Sequence, residues 1–420
     1  MPTSIETRLR ESDSGMLSPL SLPRLTLSAL LLTVALTTPA IAAQVRGSLE
    51  LQMRSFLNDP LDPAQHNHYP SAAINTEFYY GWNKQNDALT FTPFGRYDAH
   101  DSERTHVDLR ELNWLHVGNG WQLRTGISKV FWGSTESRHL VDIINQTDNL
   151  EGLDGEDKLG QPMAHFSYLL EQGELSLFWL PYFRERHFVG SQGRPRTTPL
   201  PVNTGNPTYN SDRGRHHQDV AIRWSYYFDR VDVALSHFSG TSREPTLSLN
   251  SPNPLTATAL NPHYELIEQT GLELTSALGS WLWKLEAISN SGLEAGRYSA
   301  AVAGFEYSFI GLFDSSLDLG VLAEYLYDDR NQLATSPFQD DLFLGLRLTL
   351  NDFQSTELLT GLIVDNDSQA TLGFIEASRR LGSQFKASLE ARVFDRLAAS
   401  DPLYSQREDN FVQLNLEYFF

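Results

Sequence analysis

From Val45 onward the chain alternates β-branched and aromatic residues with polar ones, in segments of about ten residues. A period of two is that of an extended strand with one apolar and one polar face. Eighteen such segments can be drawn: 46–56, 73–82, 88–98, 105–117, 120–130, 163–171, 173–182, 217–228, 230–239, 264–276, 280–289, 299–309, 314–327, 339–351, 353–364, 369–379, 383–394 and 410–420. Sixteen or fourteen are the alternative totals. Three segments show the two faces best. Val220, Ile222, Trp224, Tyr226 and Phe228 alternate with Ala221, Arg223, Ser225 and Tyr227; Leu342, Leu344, Leu346, Leu348 and Leu350 alternate with Phe343, Gly345, Arg347 and Thr349; Phe385, Ala387, Leu389, Ala391 and Val393 alternate with Lys386, Ser388, Glu390 and Arg392. Segment 105–117 changes phase around Arg110 to Asn113, which leaves its facing open, with a bulge as one reading. The connections supply an independent check. Gly118-Asn119-Gly120, Gln172-Gly173, Asp229-Arg230, Leu278-Gly279, Asn351-Asp352 and Leu381-Gly382-Ser383 are tight turns after even-numbered strands. Residues 57–72, 131–162, 183–216, 240–263 and 395–409, after odd-numbered ones, are long.

The last strand carries a resemblance. Val412, Leu414, Leu416, Tyr418 and Phe420 share one face, Gln413, Asn415 and Glu417 the other, and the chain ends on Phe420. Such a strand resembles the closing strand of a bacterial outer-membrane β-barrel, which the assembly machinery of that membrane reads. The resemblance implies an all-β fold: a transmembrane antiparallel barrel of about 18 strands, with turns and both termini in the periplasm and long loops outside. Its partners would be outer-membrane lipid, lipopolysaccharide and the barrel-assembly machinery, and its assembly a monomer or a homotrimer. Tyr79-Tyr80, Trp121, Tyr226-Tyr227, Trp281, Trp283, Tyr325, Tyr327 and Tyr418 sit near strand ends, where an aromatic girdle belongs. An edge strand of a secreted β-sandwich is the competing reading.

Composition narrows the picture further. The 420 residues contain no cysteine, which removes disulfide frameworks, thiolate chemistry and Cys-ligated zinc. The formal net charge of −20 argues against nucleic acid as a partner. A mean hydropathy of −0.33 is compatible with a barrel, because only alternate strand residues would face lipid. At the N-terminus, Arg24, the apolar run 25–36 and Pro39-Ala40-Ile41-Ala42 form a positive flank, an apolar core and an A-x-A site. Residues 1–42 therefore read as a secretory signal cut after Ala42, with Met16 an alternative start, and 43–420 as the barrel.

The distinctive stretch is 131–162. Leu140, Ile143, Ile144 and Thr147 have helical spacing, and Thr135 or Ser137 could cap the start. Apolar residues in an aqueous loop need a surface to pack on, so this third loop is expected to fold inward and constrict the lumen. Gly126, five residues, Trp132-Gly133, then Ile144-Asn145-x-x-Asp148 is similar to alginate-export-like and related outer-membrane porins, although Gln146 stands where those relatives more often have Pro. The loop carries Glu136, Asp142, Asp148, Glu151, Asp154, Glu156 and Asp157. Inward faces offer Arg96, Arg110, Arg124, Arg223, Lys284, Arg347, Lys386 and Arg392. Acids facing a basic wall would orient and filter small polar or anionic solutes, as charged rings do in channels. The other reading of the acids is a solvated cluster binding divalent ions and lipopolysaccharide outside. No catalytic set, metal site or cofactor motif is expected: Ser137, His139 and Asp142 would point apart on a helix, and His66, His68, His216 and His217 read as surface residues. The expected function is a passive channel, with a barrel hydrolase or an adhesin working through its long loops as alternatives.

Overall fold

The computed structural model describes residues 43–420 except 295, 332, 333 and 335, so the proposed signal segment 1–42 lies outside the described residues. Eighteen strands form one sheet. They are β1 (Gln44–Phe56), β2 (His68–Trp82), β3 (Asp87–Asp98), β4 (His106–Val117), β5 (Trp121–Ser128) and β6 (Gln161–Leu170). There follow β7 (Gly173–Leu180), β8 (Asp219–Phe228), β9 (Val231–Thr241), β10 (Leu266–Leu278), β11 (Trp281–Ser291) and β12 (Tyr298–Phe309). The last six are β13 (Asp318–Asp328), β14 (Asp340–Thr349), β15 (Glu357–Asp365), β16 (Thr371–Leu381), β17 (Phe385–Asp395) and β18 (Phe411–Phe419). Each pairs antiparallel with its neighbour in sequence, and β18 pairs back onto β1 from Phe419↔Ser48 to Phe411↔Phe56. The sheet is a closed barrel, which leaves no edge unpaired.

The strands alternate as the side chains dictate. Leu342, Leu344 and Leu346 stand exposed on the outside of β14, while Phe343 between them is fully buried inside. Tight turns sit where small or polar residues tolerate a left-handed backbone, as at Asp229 (φ 47°) and Asn351 (φ 49°). The bulge falls in β4. Thr92 pairs with Glu111 and the next residue, Pro93, with Leu109, so Arg110 is the extra residue. Pro93 has no N–H to give the ladder, and the bulge places its missing donor where pairing is already broken.

The inner wall has two characters. From β6 round to β15 it carries Met163, Phe178, Phe238, Ile267, Ile288, Leu322 and Phe343, all buried. From β16 through β1 to β4 it is polar, with Arg392, Gln413, Gln52, Arg54, Ser71, Arg96 and Asn113 turned inward. An apolar inner wall needs a cover, and the loop between β5 and β6 supplies it: Trp132, Leu140, Val141, Ile143 and Ile144 are buried in the same cluster.

The chain end closes the seam through reciprocal bonds, Gly47 N donating to Phe420 O and Phe420 N to Gly47 O, both at 3.0 Å. Phe419 N also donates to Gln384 O at 2.7 Å. Ending the chain at Glu417 removes at least these three bonds, each worth roughly 1 kcal/mol. The truncated protein is expected to refold with a lower urea midpoint, followed by the fraction of heat-modifiable band on unboiled gels; an unchanged midpoint would show that the terminal residues do not hold the seam.

Candidate functional site

The loop of residues 129–160 is held by the wall of the barrel along its whole length. Its first half is clamped by two inward-facing carboxylates. Glu286 of β11 accepts from Ser134 N (2.7 Å), Thr135 N (3.0 Å), Thr135 Oγ1 (2.7 Å) and Val141 N (3.2 Å). Glu324 of β13 accepts from Glu136 N (2.8 Å), Ser137 N (2.8 Å) and Ser137 Oγ (2.6 Å). Both side chains are buried, a position a carboxylate tolerates only when its oxygens are saturated with donors.

The expected helix does not form: residues 134–147 contain no helical turn. The N–H groups of 134–137 and of Val141 go to the wall instead, so the run follows it irregularly, bending at 136–137, 140–141 and 144–145, while its apolar side chains reach the covered wall. Thr135 and Ser137 are not helix caps but donors to Glu286 and Glu324.

The motif residues have separate tasks. Gly133 has φ +131°, and a Cβ there would come within 2.9 Å of Glu286 Oε1, so the turn into the clamp wants glycine. Asn145 clasps both ends of the loop: Oδ1 accepts from Val130 N (2.9 Å), and Nδ2 donates to Ser128 O (2.9 Å) and Leu159 O (2.8 Å). Beyond it the chain doubles back, Thr147 opposite Lys158, and the tip between them reaches Arg96 of β3 and Arg392 of β17 through Glu151 and Asp154.

Loop acids and wall bases meet in direct pairs. Glu136 lies 2.6 Å from Arg347 and 3.8 Å from Lys284. Asp148 lies 2.6 Å from Arg110, Glu151 2.7 Å from Arg96, and Asp154 3.5 Å from Arg392, which also binds Glu376 and Glu390. Asp142 pairs within the loop with Lys158 at 2.9 Å. Arg223 is taken by a wall partner, Glu273, through two bonds of 3.0 Å. Arg124 and Lys386 face inward with no carboxylate within 4 Å among the described residues. Asp142 and Asp148 are buried, while Arg347, Glu376, Asp154 and Glu156 keep part of their side chains exposed.

Sequence reading did not find Glu286 and Glu324, since an acid on an inward face looks like any other wet-face residue. Nor did it find the arch formed by the loop after β7. There Arg194 binds Asp409 (2.5 Å), Glu408 O (2.6 Å) and Asn58 O (3.1 Å), and Arg196 lies 3.3 Å from Asp62. Ser137, His139 and Asp142 do not converge: their partners are Glu324, Glu156 and Lys158. One group of potential metal ligands among the described residues, His106, Asp148 and Glu151, lies within 4.8 Å, with both carboxylates already bound by arginines.

No family model matches the chain, and no curated protein matches it. Among solved structures it is similar to a triple mutant of the Rhodopseudomonas blastica porin, at 11% identity over 90% of this chain and 100% of that one, with a TM-score of 0.43. A second, multiply substituted Rh. blastica porin shows 10% identity, the same coverage and a TM-score of 0.44. Function is therefore read from this chain's own residues.

Two outcomes follow from the clamp. Glu286→Ala strands four donors in a buried place, at about 1–3 kcal/mol for each unsatisfied group. Amide exchange across 134–141 should accelerate at least tenfold while the strand amides stay protected; unaltered loop protection would show that the clamp does not hold the loop.

The second concerns pH. Burial alone would lower the His139 pKa, but hydrogen bonding and charge from Glu156, with Nε2 at 2.6 Å, and from Glu286 push it up to about 10. A folded pKa raised above the unfolded value of about 6.5 gives a contribution complete below about 6.5 and lost as pH rises through 10. Loop amide exchange, corrected for its intrinsic pH dependence, should therefore loosen between about pH 6.5 and 10, and His139→Gln should remove most of that change.

Proposed function

We propose that this protein is an outer-membrane channel through which small polar or anionic solutes diffuse passively. The observation that carries the reading is a closed barrel with an apolar outside and a polar, charged inside. Leu51, Leu344, Leu362, Leu414 and Trp179 stand exposed on outward faces, a surface too extensive for a protein bathed in water. A closed barrel satisfies every ladder hydrogen bond internally, the condition for crossing hydrocarbon. Exposed aromatics gather toward both rims, with Tyr80, Trp281 and Trp283 near the turns and Tyr97, Tyr325 and Tyr327 near the loops, as a bilayer's two interfaces favour. Lipid and lipopolysaccharide would cover this belt, and the assembly machinery would engage the strand ending at Phe420.

Barrels of this strand number are wide enough to keep water inside. The clamped loop covers the apolar wall, and the passage would run beside β16 to β18, past the partly exposed pairs Glu136–Arg347 and Asp154–Arg392 and past Lys386. Arg347 and Arg392 there are paired yet keep part of their side chains exposed, so a passing anion can reach them. The Gly126 to Asp148 motif, with its clasp and clamp, supports a place near alginate-export-like channels.

Planar-bilayer recording tests this. Deleting 134–157 should raise single-channel conductance severalfold and move the reversal potential in a salt gradient toward anions, because Arg347, Arg392, Arg96 and Arg110 lose their loop partners. The selectivity shift should shrink as the Debye length falls from about 10 Å at 0.1 M to about 3 Å at 1 M salt. No channels from folded wild-type protein would sink the reading.

A further inference from the structure

On the loop side of the constriction, the clamped loop, the loops after β7 and β9, and the wall enclose a cavity of about 210 Å³. It is smaller than the roughly 300–1,000 Å³ of sites for drug-sized ligands, so it suits a small molecule. Its lining divides in two. One part is apolar, with Ile143, Ile267 and Ile288. The other is charged, with Asp142, Asp154 and Glu244 standing among Arg138, Lys158, Arg186 and Arg243, and most of its cations are engaged: Arg243 with Asp219 (2.9 Å) and Ile144 O, Lys158 with Asp142 (2.9 Å), and Arg138 with Glu244 at 3.7 Å.

Arg186 differs. Its backbone N–H donates to Tyr264 Oη at 3.0 Å and its Nε to Gln146 Oε1 at 3.1 Å, which fixes the guanidinium in place. Its two Nη groups have no hydrogen-bond acceptor and no carboxylate within 4 Å among the described residues, the charge of Glu244 reaching it only from farther off, and the side chain borders the cavity. A planar guanidinium held by its Nε, with both Nη groups open, presents the fork that a carboxylate fills through two parallel bonds. A cation in so enclosed a place also gains more from a counter-charge than one in bulk water.

We propose that this cavity is a binding station for a small organic monocarboxylate, its carboxylate on the Nη groups of Arg186 and its apolar body against Ile143, Ile267 and Ile288. The proposal rests on the channel reading and deepens it, naming a solute class by the two halves of the lining. It separates carboxylates with an apolar body from inorganic anions, which satisfy only the charged half, and from neutral molecules, which satisfy only the other.

Binding to the folded, detergent-solubilised wild-type protein tests the station without recourse to current. Calorimetric titration with benzoate should show saturable binding, with acetate and benzyl alcohol each at least tenfold weaker. Arg186→Gln should lose at least tenfold for benzoate, and Arg186→Lys, which keeps charge without the fork, should fall between. No benzoate binding by folded wild-type protein, or equal affinity for benzyl alcohol, overturns the proposal even if the Arg186 variants do not fold. Channels recorded from a protein that does not bind benzoate would refute the station and leave the channel reading standing.

Discussion

An irregular stretch of backbone inside a barrel must find acceptors for its N–H groups, and in this protein two wall glutamates provide them. Glu286 and Glu324 take five backbone N–H groups and two hydroxyls from residues 134–141. Buried carboxylates without such donors would be costly, and buried amides without such acceptors equally so. Each side therefore needs the other. The apolar side chains of the loop, Leu140 and Val141 foremost, then settle on the part of the inner wall that carries the apolar cluster.

Much of this was legible in the chain. All eighteen strands, the short-turn and long-loop phase and the bulge near Arg110 follow from period-two alternation, because a one-residue slip would reverse every side chain. That the loop's apolar residues need a surface to pack on was legible from the chain alone. The helix was not there to be read: the spacing of Leu140, Ile143 and Ile144 comes from a non-helical run whose repeated bends turn these side chains onto the wall, and spacing cannot tell the two apart. The clamp stayed hidden because periodicity says that Glu286 and Glu324 face inward but not that they meet amides from a segment some 150 to 190 residues earlier. The acidic loop and the basic strands were visible as two populations; their closure into contact pairs depends on distances that only the fold sets.

Those contacts change what the charges can do. Arg96, Arg110 and Asp148 are buried and paired, so their fields largely cancel at a distance. Arg347 and Arg392 are paired too, yet remain partly open, and a passing ion meets pairs it can perturb. Arg186 stands apart from both groups, its Nε held by the neutral Gln146 and its nearest carboxylate more than 4 Å away among the described residues. The inner surface is thus a set of local dipoles with a few uncompensated cations, a landscape very different from two opposed sheets of charge.

Arg194 has a consequence for the order of assembly. It binds Asp409 and Glu408, which lead into β18, and Asn58, which follows β1, while its guanidinium lies 4.1 Å over the ring of Phe56. Those groups come together only when the first and last strands stand side by side. The arch therefore works as a latch: it cannot be set before the cylinder has closed, and once set it rivets the one seam that joins the two ends of the chain. A barrel open at that seam would carry a loose arch, so the state of the outer surface reports whether the wall beneath is complete.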